Sequence, residues 1–211
     1  MRPYKIIYSN RRTIQITVSG FNEIIVRCPF HTSKSNIERF LNEKQDWIDK
    51  VTSRNYERQQ KIDRILKFRA VYVDGNQVPL ILGDKNYITP TCVYLKSLEY
   101  IQEQFIKNFS QAFFDEVNVI SEKTGLIPSS VKVRNYKSRW GCCDIKGNIF
   151  FNYKLFMLPL NLRKYVIIHE LCHLKHHNHS SAFWSLVEHY LPNWKSLRKE
   201  LKNYDFLTIL Y

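Results

Sequence analysis

Glycine and proline are scarce in this 211-residue chain, at 6 and 7. No tract is low in complexity, which excludes collagen-like and disordered classes. No repeat of about 20–50 residues occurs, so solenoids and propellers are excluded as well. Long apolar runs are missing, and the opening M-R-P-Y-K-I-I-Y-S-N-R-R has no signal-peptide core. The expectation is a cytoplasmic protein with no membrane association. The cysteines (Cys28, Cys92, Cys142, Cys143 and Cys172) are odd in number and lack C-x-x-C spacing. They read as reduced thiols rather than a disulfide framework or a cysteine-rich zinc site. Acidic residues are few, 19 against 32 Lys+Arg, for a net charge of +13. Residues 130–211 carry 13 of those basic residues and only 5 acidic ones, so +8 of the charge lies there.

What is present suffices for an ordinary core, with 44% hydrophobic and 14% aromatic residues. The expected class is α+β, with an N-terminal β-rich subdomain over 1–95 that includes one helix, and a core of a long helix, a small sheet and further helices over 96–211. From Tyr4 to Arg27, K-I-I-Y, T-I-Q-I-T-V and E-I-I-V-R read as an antiparallel meander, with corners at Ser9–Arg12 and Ser19–Asn22. A helix capped near Ser33 or Ser35 follows, continuing into a polar, basic helical tail or connector over 54–69. Asp74-Gly75 marks a hairpin between Val71 and Leu82. Between Ser97 and Lys123, Phe105, Phe109, Phe113, Val117 and Ile120 recur every three or four residues, predicting a long amphipathic helix that stops at Gly125. Val131–Arg134 and Asn148–Asn152 read as strands, and helices resume from Leu160.

Six of the seven histidines fall between His169 and His189, and the first opens His169-Glu170-Leu171-Cys172-His173. In this H-E-x-x-H pattern the imidazoles lie about 40° and 6 Å apart on a helix, so both can reach one metal ion. Glu170 lies close enough to serve a metal-activated water as general base. A catalytic zinc uses three protein ligands, so a third is needed. Along a straight helix, the residue ten beyond His169 would be about 15 Å away. A helix break after His173, with Asn178 in a left-handed conformation and a new helix from Ser180-Ser181, would fold His179 back to the metal. Glu188 is the alternative third ligand. The spacing equals that of metzincins, but His176 occupies the place of their turn glycine, so that family is not implied.

The sequence resembles the YgjP-like metallopeptidase family, zincin proteins related to the SprT and WLM peptidases. The resemblance rests on S-R-W-G-C-C at 138–143, G-N-I-F-F-N at 147–152, H-E-L-C-H-L-K-H at 169–176 and N-H-S-S-A-F-W at 178–184. Weaker matches cover Arg11–Ile14, Val26–Pro29 and Trp47-Ile48. It implies a zincin-like core, one Zn2+ bound by His169, His173 and His179, and Glu170 as the catalytic residue. Cys143 departs from the small polar residue often found there.

The expected activity is zinc-dependent hydrolysis of peptide bonds in peptide or protein substrates, through a water activated by Glu170. Arg139 and Trp140 are candidate substrate contacts, as a planar donor and a stacking surface. Ile149 and Phe151 mark a strand that would pair with an extended substrate. The alternative function is a basic module that binds nucleic acid or protein around a structural or vestigial zinc site. No helix-turn-helix or zinc finger supports it, only charge.

Overall fold

The computed structural model describes residues 3–19 and 22–210. The chain forms two compact units, 1–63 and 64–211, divided near the end of a long helix. The expected boundary at residue 95 was drawn from sequence pattern alone.

In the first unit, strands β1 (Tyr4–Ser9), β2 (Gln15–Val18) and β3 (Ile24–Pro29) form a sheet in the order β1-β3-β2. It is not the expected meander, because β1 runs parallel to β3 while β2 is antiparallel to it. The burial pattern gives the reason. Ile24, Val26 and Cys28 of β3 are almost wholly buried, so the most apolar strand takes the centre. Gly20 and Phe21, part of the expected second corner, lie outside the described residues. Helix α1 (Lys34–Glu43) is capped by Ser33, whose Oγ accepts from Asn36 N–H, and packs Ile37 and Leu41 into this core. After Lys44, helix α2 runs over Gln45–Lys67 and adds Ile48.

The second unit opens with a four-stranded sheet, β4-β5-β7-β6, from β4 (Ala70–Val73), β5 (Asn76–Leu82), β6 (Tyr87–Ile88) and β7 (Val93–Leu95). The expected hairpin turn is there, with Asp74 at φ 47° and Gly75 at φ 84°, both left-handed as a tight hairpin requires. Its amides donate to the carbonyls of Phe156 and Met157, and a Cβ on Gly75 would come within 2.6 Å of Pro159. Arg163 completes the brace, bonding Asp74 at 2.7 Å and Glu116 at 3.0 Å. The hairpin thus holds the start of the helix that carries the histidines.

Helix α3 (Ile101–Thr124) is the predicted long helix, ending at left-handed Gly125. Its Phe113 meets Phe151 and Phe156 edge-on, at ring distances of 5.1 and 5.4 Å. The third sheet joins β8 (Ser130–Arg134), β9 (Gly141–Cys143) and β10 (Asn148–Asn152) in the order β8-β10-β9. Strand β10 is central, parallel to β8 and antiparallel to β9. A 3₁₀ turn over Tyr153–Met157 leads to α4 (Leu160–Cys172), followed by α5 (Ser181–Tyr190) and α6 (Trp194–Leu201). The class is α+β, with the long helix, small sheet and H-E-x-x-H helix expected of a zincin-like core. No helix among the described residues is long and apolar enough to cross a membrane.

Candidate active site

Helix α4 is apolar around most of its girth: Leu162, Tyr165, Val166, Ile167, Ile168 and Leu171 are all buried. Burial on several sides fixes its position and so the direction of His169, Glu170 and His173. The helix stops where expected, but by another device. Asn178 is not left-handed. Instead Leu174 and Lys175 amides bond to carbonyls three residues back, tightening the last turn. Asn178 Oδ1 accepts from Ser180 N–H at 3.2 Å, and Ser180 caps α5.

This break returns His179 to the helix. Ligand nitrogens of His169, His173 and His179 all lie within 4.8 Å of one another. His169 Nε2 and His179 Nε2 face each other at 3.1 Å. Ligands of tetrahedral zinc at 2.0–2.1 Å stand roughly 3.3 Å apart, nearly this spacing. His173 Nδ1 pairs with the His176 carbonyl at 2.9 Å; as the donor, it leaves Nε2 with a free lone pair. Burial drives His169 down to about 3, with His173, His179 and Arg198 adding repulsion. His173 is lowered too, chiefly by burial, with its bond to His176 opposing. Both imidazoles are therefore neutral at ordinary pH, the form that binds metal. Buried His169 Nδ1 has no hydrogen-bond partner. The donor set fits one divalent ion of the zinc type. Glu188 is outside this cluster, turned to Lys195 at 3.7 Å.

Helix α5 supplies an aromatic platform to which the sequence reading assigned no role. Phe183 stacks on His173 at 4.5 Å and meets His169 and His179 at 4.9 Å each. Trp184 stacks on His179 at 5.5 Å and on Trp194 at 4.3 Å. The one sequence signal was the Phe-Trp pair placed one turn after N-H-S-S.

Glu170 is 6% exposed, and burial pushes its carboxyl up to about 8, with Arg139 pulling the other way. Gly141 of β9 lies directly against it: a Cβ there would fall 2.8–2.9 Å from Glu170 Cγ, Cδ and Oε1. A cavity of about 280 Å³ opens beside this contact, lined by Arg139, Trp140, Tyr165, His169, Glu170 and Arg198 among others. A larger cavity of about 420 Å³ near Phe114 has Glu122 as the one ionisable group in its lining, and offers no comparable chemistry.

Two of the expected substrate contacts, Arg139 and Trp140, thus border the site. The other two do not. Ile149 and Phe151 are 0% exposed, and both edges of β10 are occupied, so a substrate cannot pair with that strand. The edge strands are β8 and β9, and β9 is the one that borders Glu170. Asn152 N–H donates to Trp140 O and Asp144 N–H to Asn148 O, so residues 140, 142 and 144 turn their backbone groups toward β10. Gly141 and Cys143 turn theirs outward.

A family model for the YgjP-like metallopeptidase domain matches residues 12–204. The chain belongs to this metallopeptidase family. Among solved structures it is similar to the metallopeptidase zymogen abylysin of Pyrococcus abyssi, at 27% identity over 43% of this chain and 92% of that one, with a TM-score of 0.40. None of the curated proteins matches it.

Proposed function

We propose that this protein is a zinc peptidase in which His169, His173 and His179 hold one ion and Glu170 is the general base. The observation that carries the reading is the convergence of three histidine nitrogens within 4.8 Å beside a buried carboxylate. When bound, zinc supplies Lewis acidity that polarises a carbonyl and acidifies water. The charge of a bound divalent ion would favour the ionised form of Glu170, which then takes a proton from the attacking water and returns it to the leaving nitrogen. Gly141 leaves room for the carboxylate beside β9. The outward N–H and C=O groups of Gly141 and Cys143 align an extended substrate chain along the β9 edge. Three imidazoles, with an open position, suit a catalytic site better than a structural one, which is normally closed by four ligands. Five unpaired thiols support a cytoplasmic setting.

Removing metal with a chelator should abolish peptide cleavage, and one equivalent of zinc per chain should restore it. His173→Ala and His179→Ala should bind no stoichiometric zinc. Cleavage that persists in metal-free protein would refute the reading. Stoichiometric zinc with no cleavage of any protein or peptide would favour the binding module instead.

A further inference from the structure

The cavity beside Glu170 is bordered by three cations drawn from two parts of the chain. Arg139 comes from the loop before β9, and Arg198 and Lys202 from α6 and the residue after it. Glu170 and Asp205 are the acidic groups in its lining. Among the described residues, none of the three cations has an ion pair with a carboxylate. Arg198 is nonetheless held in place: its guanidinium carbon lies 4.7 Å over the Trp184 ring, and Trp184 is itself stacked on Trp194. A guanidinium held over a ring can keep its edge donors for a planar acceptor, and arginine binds a carboxylate with two such hydrogen bonds. The Arg139 guanidinium carbon lies farther from its ring, 5.8 Å from the Tyr136 centroid. At about 280 Å³ the space holds about nine waters of ~30 Å³ each, enough for one side chain or one terminal residue but not a folded segment.

We propose that this cavity is a carboxylate subsite, in which Arg139 and Arg198, assisted by Lys202, fix an acidic group of the substrate next to the reacting bond. The proposal rests on the peptidase reading and narrows its substrate class to chains that place a carboxylate here. Both an Asp or Glu side chain and a C-terminal carboxylate supply this chemistry.

The test uses three fluorescein-labelled pentapeptides that differ only in the last residue. One ends in glutamine carboxamide, with no carboxylate; one in glutamate carboxamide; one in glutamine with a free terminus. Binding is read by fluorescence anisotropy at one ionic strength, with Glu170→Gln protein so that the probes stay intact. At least one carboxylate probe should bind about tenfold more tightly than the neutral one, the scale of a charge-assisted bond. Which probe gains identifies the source. Arg139→Gln and Arg198→Gln, each made in that background, should remove the preference. Equal binding of all three, no binding of any, or a preference that survives both substitutions would overturn the subsite. Cleavage by the wild-type protein separates the two ideas. Preferential binding with no cleavage of any protein or peptide leaves a carboxylate-binding site standing and removes the peptidase reading; cleavage of all three at equal rates, with equal binding, does the reverse.

Discussion

Gly141 and Glu170 show how closely one residue constrains another. A methyl group on residue 141 would sit under 3.0 Å from three atoms of the Glu170 side chain, so the carboxylate must move. Gly141→Ala should therefore lower kcat about 10²-fold, the usual penalty for a displacement near 1 Å, while zinc content stays at one per chain. Unchanged kcat would show that Glu170 needs no such placement. Phe183 touches all three histidines while itself 0% exposed. Phe183→Leu, which keeps much of the apolar volume, should weaken zinc binding about 10–100-fold in a competition titration, as loss of support behind metal ligands does. At this scale the sequence spoke clearly where chemistry imposes spacing. The convergence of His169, His173 and His179 was readable because a metal needs ligands at fixed intervals and a helix break between them. Phe183 and Arg198 were not, since aromatic and basic residues at helical spacing serve packing or solvation just as well.

Among the elements, β9 changes the account most. Its three residues, Gly141–Cys143, carry no strand signal in the sequence, because so short a segment with a glycine has no period to detect. Yet it forms the sheet edge that borders Glu170, whereas β10, whose apolar run Ile149-Phe150-Phe151 stands out, lies at the centre with Ile149 and Phe151 buried. The two strands give opposite outcomes for proline. Cys143→Pro removes an outward N–H from an edge strand, a place where proline is tolerated, so zinc binding and the circular dichroism spectrum should persist while peptide cleavage falls. Ile149→Pro breaks a central ladder and should prevent folding. Full cleavage by a folded Cys143→Pro variant would remove β9 as the substrate edge. The parallel β1–β3 pairing was likewise hidden: turn residues at Ser9–Arg12 suggest a reversal, but only burial of β3 decides which strand lies between the others.

Across the whole second unit, the C-terminal turn is tied in by a buried charge. Lys154 is 1% exposed, and its ammonium donates to the Thr208 carbonyl at 2.9 Å. Burial lowers it from 10.5 to about 8, with Lys137 adding repulsion. Between those values the unfolded chain keeps a proton that the folded one has released, so this group's contribution to stability rises with pH from 8 to 10.5. The difference in unfolding free energy between wild type and Lys154→Met, measured by urea denaturation, should therefore shift in favour of wild type over that interval. A difference that is flat or moves the other way would contradict the assignment. The α+β class, the long helix and the order of elements around the histidines were legible in the residues. The grouping of 64–95 with the second unit was not, because it depends on contacts such as Gly75 against Pro159 that no local pattern encodes.

The most direct test of the central claim is peptide cleavage by Glu170→Gln with its zinc content measured on the same sample. The account predicts one zinc per chain and a rate reduced about 10²–10⁴-fold, the range supplied by a general base. Wild-type rates in a zinc-loaded Glu170→Gln protein would contradict it.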